Sequence, residues 1–251
     1  MHEFSLPALV IRETDVGEQD KLLTLLSGER GRFSAKVHGA RNIKSKNMAC
    51  SSLFCYGNFT FSEKNGRITV KESSLQESFF DLRLDMQALA IANYVAEVLC
   101  TVSTEENDET ELLVLALNTL FALNKKEKQP DLVKAVFEVR CLRLLGFAPD
   151  ISGCGECGKQ EGQPLYLDLQ EGTLLCHECR HLQNRTGLLH AMPGDTLSAM
   201  RYVLTAPQKR IFSFTLGERG LKSLCEIAER YLQIQTETNY KSLKFYHSME
   251  F

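Results

Sequence analysis

The 251-residue sequence contains no run approaching the roughly 20 uncharged apolar residues that a membrane-spanning helix requires, which argues against a helical membrane protein. Its first residues, Met1 to Arg12, set His2 and Glu3 ahead of a short apolar run, with no basic start and no small-residue cleavage site. A secretory leader is therefore not expected, and the cytoplasm is the expected compartment. Neither G-x-x-x-x-G-K-[ST] nor G-x-G-x-x-G occurs, so the sequence offers no phosphate-cradling loop for nucleotide hydrolysis. Internal repeats and low-complexity tracts are absent too. Nor is there an excess of positive charge: the formal net charge is -3, which argues against nucleic-acid binding through bulk charge.

What is present is an ordinary globular composition, 43% hydrophobic and 24% charged, in a chain long enough for one large or two smaller domains. Charge is unevenly distributed. From Gly28 to Asn47 there are six Lys or Arg against the single acid Glu29, whereas Ser103 to Glu111 holds five acids and no base.

Up to about residue 75 the apolar residues come in short β-branched and aromatic runs: Leu6 to Ile11, Leu22 to Leu26, Arg32 to Val37, Leu53 to Phe61 and Arg67 to Val70. Gly17, Gly28, Gly31 and Gly39 separate them, and Asn65-Gly66 is a strong hairpin signal. Five such strands predict a small antiparallel barrel, an OB-fold in preference to an SH3-like barrel. After Ser78 the period approaches four, predicting helices over Asp85 to Thr101, Glu109 to Asn124, Asp131 to Leu145, Pro193 to Leu204 and Leu216 to Gln235. Asp108 and Asp131 are candidate N-caps, Gly146 is a candidate C-terminal stop, and Lys125 to Pro130 reads as a polar linker rather than a domain boundary. The expected organisation is α+β with two domains, 1-78 and 79-251.

Nine cysteines is an odd number, and four of them form Cys154-x2-Cys157 and Cys176-x2-Cys179 with eighteen residues between the pairs. Each pair can present two thiolates to one cation from a single tight turn, and Gly153, Gly155 and Gly158 provide permissive backbone. Leu165 to Leu175 reads as a hairpin joining the two turns, within a zinc insert at about 150-182. Four protein thiolates leave no open position for water, so the expected metal is one structural Zn2+. The remaining five cysteines read as buried thiols. The same region contains His177-Glu178-Cys179-Arg180-His181, which fits H-E-x-x-H. Taken literally that string describes a zinc metalloprotease, and it requires a regular helix where the cysteine pattern requires a tight turn.

A nucleic-acid reader needs cations for phosphates and, for single strands, aromatic faces for bases. Arg30, Arg32 and Lys36 alternate with Phe33, Ala35 and Val37, which predicts a row of three charges on the solvent side of a strand. Arg41, Lys44 and Lys46 follow on the loop after Gly39, completing six candidate DNA-binding residues. A merely solvated charged face is the competing reading, since Glu13, Asp15, Glu18 and Asp20 are close in sequence. Phe54, Tyr56, Phe59 and Phe61 read mainly as core.

The order Val16-Gly-Glu-Gln-Asp-Lys-Leu-Leu-Thr-Leu-Leu26, Glu29-Arg-Gly-Arg-Phe33 and Lys36-Val-His-Gly-Ala-Arg41 resembles RecO, the bacterial recombination mediator family. The resemblance continues through Leu82-Arg-Leu-Asp-Met-Gln-Ala-Leu-Ala90, Leu144-Leu-Gly-Phe-Ala-Pro149 and Lys241-Ser-Leu-Lys-Phe245, and so covers effectively the whole chain. It implies an N-terminal OB domain and a helical domain holding the zinc motif. It also implies binding of single- and double-stranded DNA, annealing of complementary strands, and cooperation with RecR in loading RecA onto DNA coated by single-strand-binding protein. The acidic tail of that protein is an implied partner of the helical domain. The expected protein is a non-enzymatic, nucleoid-associated member of the RecFOR pathway of DNA damage repair. A metalloprotease and a scaffold whose basic face binds an acidic protein are the alternatives.

Overall fold

The computed structural model describes residues 2-42, 45-160, 164-181 and 188-249. Five strands, β1 (His2–Val16), β2 (Asp20–Ser27), β3 (Gly31–Val37), β4 (Tyr56–Lys64) and β5 (Arg67–Glu77), close into a barrel in the order β1-β2-β3-β5-β4. Every neighbouring pair is antiparallel except β3 and β5, which meet in parallel at Lys36 and Thr69. That order and the parallel closure are those of an OB-fold. The strand period puts Phe33, Ala35 and Val37 of β3 inside with Ala8, Val10, Leu23, Leu25, Phe59, Phe61 and Val70. Phe33 meets Phe61 edge-on, with ring centroids 5.2 Å apart.

The fourth strand begins at Tyr56, later than the apolar run from Leu53 suggests. Phe54 is in the left-handed region at φ 69, and the chain there closes on β1 through Phe54 N–H to the Val10 carbonyl and Val10 N–H to the Cys55 carbonyl. Phe54, Phe59 and Phe61 are core residues and Tyr56 is half-buried.

By compactness the chain divides into two units, residues 1-125 with 241-251, and residues 126-240. The boundary falls inside Lys125 to Pro130, so the stretch expected to be a linker within one domain separates the units instead. In the first unit the barrel is joined by α1 (Met86–Val102), α2 (Thr110–Lys125) and α6 (Lys241–Ser248). Asp85 caps α1 by accepting from Ala88 N–H at 3.0 Å. Asp108 stands one residue before the cap position of α2 and accepts from Thr110 N–H at 2.9 Å, because Glu109 provides the first helical carbonyl, to Leu113 N–H. Helix α6, too short for a clear periodic signal, is pinned to α1 by Glu97, whose carboxylate accepts from the backbone N–H of Lys241 and Ser242 at 3.0 and 2.8 Å and from the Ser242 hydroxyl.

The second unit contains α3 (Pro130–Leu144), α4 (Gly194–Thr205), α5 (Glu218–Gln235) and four strands, β6 (Asp150–Cys154), β7 (Leu165–Asp168), β8 (Thr173–Cys176) and β9 (Leu189–Met192), in a sheet of order β6-β8-β7-β9. Helix α3 starts at Pro130 with Gln129 at the cap, so Asp131 lies in the first turn rather than capping it; proline at the first helical position loses no hydrogen bond. It ends at Gly146, φ +85, where Gly146 N–H reaches the Arg143 carbonyl and Phe147 N–H the Leu142 carbonyl. Leu132 to Leu142 are all buried, including Lys134, which holds Glu138 at 3.0 Å and Glu229 of α5 at 2.8 Å. No described helix is long and apolar enough to cross a membrane.

Candidate metal centre and nucleic-acid surface

Strand β6 (Asp150–Cys154) and strand β8 (Thr173–Cys176) run parallel and each ends on a cysteine, which brings the two C-x2-C turns together. Strand β7 (Leu165–Asp168) forms the expected hairpin with β8, and β9 (Leu189–Met192) covers its other edge. The Sγ atoms of Cys154, Cys157, Cys176 and Cys179 all lie within 4.8 Å of one another, and those of Cys157 and Cys176 are 3.8 Å apart. All four expected ligands therefore converge on a group able to hold a metal ion, with Cys157 exposed and the other three buried.

Backbone donors tune this cluster. Burial opposes ionisation of Cys154, but the N–H groups of Cys176, Cys157 and Glu156 point at its sulfur and bring the thiol down to about 6. Cys176 is also lowered, by the Cys179 N–H above all. The first turn closes with Gly158 N–H on the Cys154 carbonyl and Cys154 N–H on the Lys159 carbonyl, both at 2.8 Å. Of the three glycines expected to ease the turn, Gly158 has φ +71 and Gly153 packs where a Cβ would stand 3.2 Å from the Gly158 and Lys159 carbonyl oxygens; Gly155 needs neither. Lys159 and Glu178 join the two turns at 2.7 Å.

The H-E-x-x-H string does not form an α-helix. His177 and Glu178 make a turn and Cys179–His181 a single 3-10 turn, while Glu178 is held by Lys159 and the His177 and His181 rings stand edge to face at 5.5 Å. The turn geometry that serves the cysteines has displaced the helix that a metalloprotease would need.

On the barrel, the six sequence candidates have different fates. Arg32 and Lys36 share the outward face of β3, but Arg32 bends towards α1. Its Nη1 donates to the Cys100 carbonyl at 2.7 Å and its Nη2 lies 3.6 Å from Glu105. Arg30 precedes the strand, pairs with Glu63 at 3.2 Å and stacks over Phe4 and Phe33. A continuous solvent row of three is therefore not formed. Lys36 lies 2.9 Å from Asp20, Arg41 lies 3.6 Å from Asp15, and both keep substantial exposure. Lys46 is exposed, and Lys44 lies outside the described residues.

Three further cations, which the sequence reading missed, complete this surface. Lys64, Arg67 and Lys71 line a groove of about 680 Å³ with His38, Asn65 and Thr69. Arg67, Thr69 and Lys71 alternate on one face of β5, and the parallel pairing of Thr69 with Lys36 sets that face beside β3. The loop after β3 joins it, since the Asn47 side chain donates to the Lys71 carbonyl at 3.3 Å and accepts from the Ser73 hydroxyl at 2.9 Å. The period-two basic pattern around Asn65-Gly66 was the available signal; the β3–β5 closure that gives it meaning was not.

Comparison with known proteins agrees with this architecture. Residues 1-79 match the family model described as Recombination protein O N terminal, and residues 83-244 match Recombination protein O C terminal. The chain is 32% identical to the DNA repair protein RecO of Acetivibrio thermocellus over 250 residues, 100% of this chain and 98% of that one. It is 28% identical to the DNA repair protein RecO of Desulfitobacterium hafniense strain DCB-2, covering 97% and 88%, and 26% identical to that of Bacillus subtilis, covering 96% and 93%. With both halves matched and a relative above 30% identity along its length, the chain belongs to the RecO family of DNA repair and recombination proteins.

Proposed function

We propose that this chain is a non-enzymatic recombination mediator that binds single- and double-stranded DNA through its barrel and anneals complementary strands. With RecR it helps load RecA onto DNA coated by single-strand-binding protein, whose acidic tail its helical domain engages. The observation that carries DNA binding is the groove between β3 and the β4–β5 hairpin, where Lys64, Arg67 and Lys71 open beside Lys36. In this reading 1-78 is the DNA-binding domain and 79-251 the helical domain. Lys36, Arg41, Lys44 and Lys46 act with the three hairpin cations, and Arg30 and Arg32 contribute mainly by holding the barrel's end. A protein working on DNA in this way belongs in the cytoplasm, at the nucleoid.

Such a surface lowers the repulsion between two phosphate backbones, and base pairing supplies the free energy of annealing, so no hydrolysis is required. Phe33, Phe54, Phe59 and Phe61 are committed to the core of the barrel, which favours a phosphate grip over base stacking and makes binding sequence-tolerant.

Cys154, Cys157, Cys176 and Cys179 would hold one Zn2+. A zinc–sulfur distance of about 2.3 Å gives tetrahedral sulfur–sulfur edges of about 3.8 Å, which suits the 3.8 Å between Cys157 and Cys176. Bound there, zinc cross-links the two turns and supplies folding energy rather than chemistry.

The test is binding and annealing of complementary labelled oligonucleotides across a salt series, with the folded Lys64→Glu/Arg67→Glu/Lys71→Glu variant alongside. Neutralising about five phosphates gives a log-log salt slope of roughly -3.5 to -4.5. A salt-sensitive wild type and a defective variant support the proposal. A flat salt response removes the phosphate grip, and no DNA binding at physiological salt leaves an acidic protein as the partner of this face.

A further inference from the structure

Resting on the DNA-binding reading above, we infer that the acidic loop between α1 and α2 is a fence that ends the nucleic-acid track on the barrel and selects single strands over duplex. The loop is built onto the β2–β3 turn. Arg32 N–H donates to the Thr104 carbonyl at 2.8 Å, Glu106 N–H to the Arg30 carbonyl at 3.0 Å, and Glu109 N–H to the Gly28 carbonyl at 2.8 Å; Gly31 and Glu105 form a β-bridge. The approach is so close that a Cβ on Gly31 would stand 2.4 Å from the Thr104 oxygen.

The loop is also fixed within itself. The Glu109 carboxylate accepts from Thr104 N–H at 2.9 Å and from the Thr104 hydroxyl at 2.6 Å, and Asn107 donates to that hydroxyl at 3.1 Å. Glu105, Glu106 and Asp108 are left exposed on this rigid base. Only Glu105 of these three has a cation within ion-pair distance among the described residues, the half-buried Arg32, which it occupies. The loop thus adds negative charge and withdraws one cation at the same place.

Its position gives that charge a consequence. The parallel register of Lys36 with Thr69 sets Arg67 level with Ser34, so the groove's Lys64 and Arg67 end lies towards the Gly31 end of β3, where the loop is docked. DNA lying along the groove therefore meets fixed acids as it leaves past the hairpin tip. A single strand turns away by rotating its own backbone. A duplex carries two backbones and is stiff, with a persistence length of about 150 base pairs, so it must bend or stay close to the acids.

The experiment compares wild type with the Glu105→Gln/Glu106→Gln variant in binding one labelled oligonucleotide, single-stranded and as a duplex, at two salt concentrations. The Glu171→Gln/Glu237→Gln variant, with the same change in net charge at exposed positions of the other unit, is the control. The expected result is duplex binding tightened about fivefold or more, a steeper duplex salt dependence and single-strand binding changed less than about twofold, with the control unchanged. An equal gain for both forms, no gain, or the same duplex gain in the control overturns the fence while leaving DNA binding intact. Failure of the wild type to bind either form overturns the DNA-binding reading and the fence with it.

Discussion

The guanidinium of Arg32 donates to the Cys100 carbonyl, 2.7 Å away in the last turn of α1. A cation at a helix C-terminus satisfies a carbonyl that has no partner within the helix and complements the helix dipole, so this arginine works as a tie between barrel and helix. The neighbouring pair with Glu105 adds little, because Glu105 is 70% exposed. Arg32→Ala is expected to lower stability by about 1–2 kcal/mol in urea denaturation. Lys71→Ala leaves stability within about 0.5 kcal/mol and weakens DNA binding, so the two arginine and lysine effects separate by assay.

Gly31 is irreplaceable for two reasons that act together. Its φ of +66 costs any other residue about 1–3 kcal/mol, and an added methyl meets a backbone oxygen that cannot swing away. Gly31→Ala should therefore destabilise the first unit by more than the conformational cost alone, whereas Gly39→Ala, with φ +63 but open space, shows that cost only. Equal losses in the two variants would contradict the close docking of the acidic loop.

Asp20 accepts from Gly39 N–H and pairs with Lys36 and His38, which hold its carboxyl down at about 2, against an ordinary 3.8. A depressed carboxylate contributes stability that is complete above its unfolded value and is lost as pH falls through its folded one. Carboxyl NMR should show Asp20 titrating near 2, with its stabilisation fading between about pH 4 and pH 2. A midpoint near 3.8 would mean that the Gly39 and Lys36 contacts do not persist in solution. Asp20→Asn should also release Lys36 and strengthen DNA binding at low salt.

Metal analysis is expected to find one zinc per chain. Cys154→Ser should abolish it and remove amide protection from strands β6, β7 and β8, leaving the barrel protected. Retained stoichiometric zinc in that variant would show that the four sulfurs do not act as one site.

Glu97 secures the far end of the chain. With its three acceptor contacts to Lys241 and Ser242 removed, Glu97→Ala should expose α6 to hydrogen exchange before the rest of the first unit. Glu97→Gln, which keeps an acceptor, should restore most of the protection.

Much of this molecule was written locally. Phe33, Ala35 and Val37 alternate with Arg32 and Lys36, and a pleated strand has no other way to sort them than inside and outside. Gly146 and the two cysteine turns carry their meaning within a few residues, so the stop and the ligands were readable without knowing the fold. The errors share a cause. Asp131 looked like a cap until Pro130 took the first helical position, and Asp108 until Glu109 provided the first helical carbonyl of α2.

The sequence by itself determined the strand and helix periods and the two cysteine pairs, because each depends on residues a few positions apart. Only the tertiary structure decided which cations remain available to a ligand. Closing β3 against β5 gathered Lys64, Arg67 and Lys71 beside Lys36, and packing α1 against the barrel tied Arg32 to the Cys100 carbonyl. Both depend on pairings between residues more than thirty positions apart, where charge and hydrogen bonding are set by what the fold brings together.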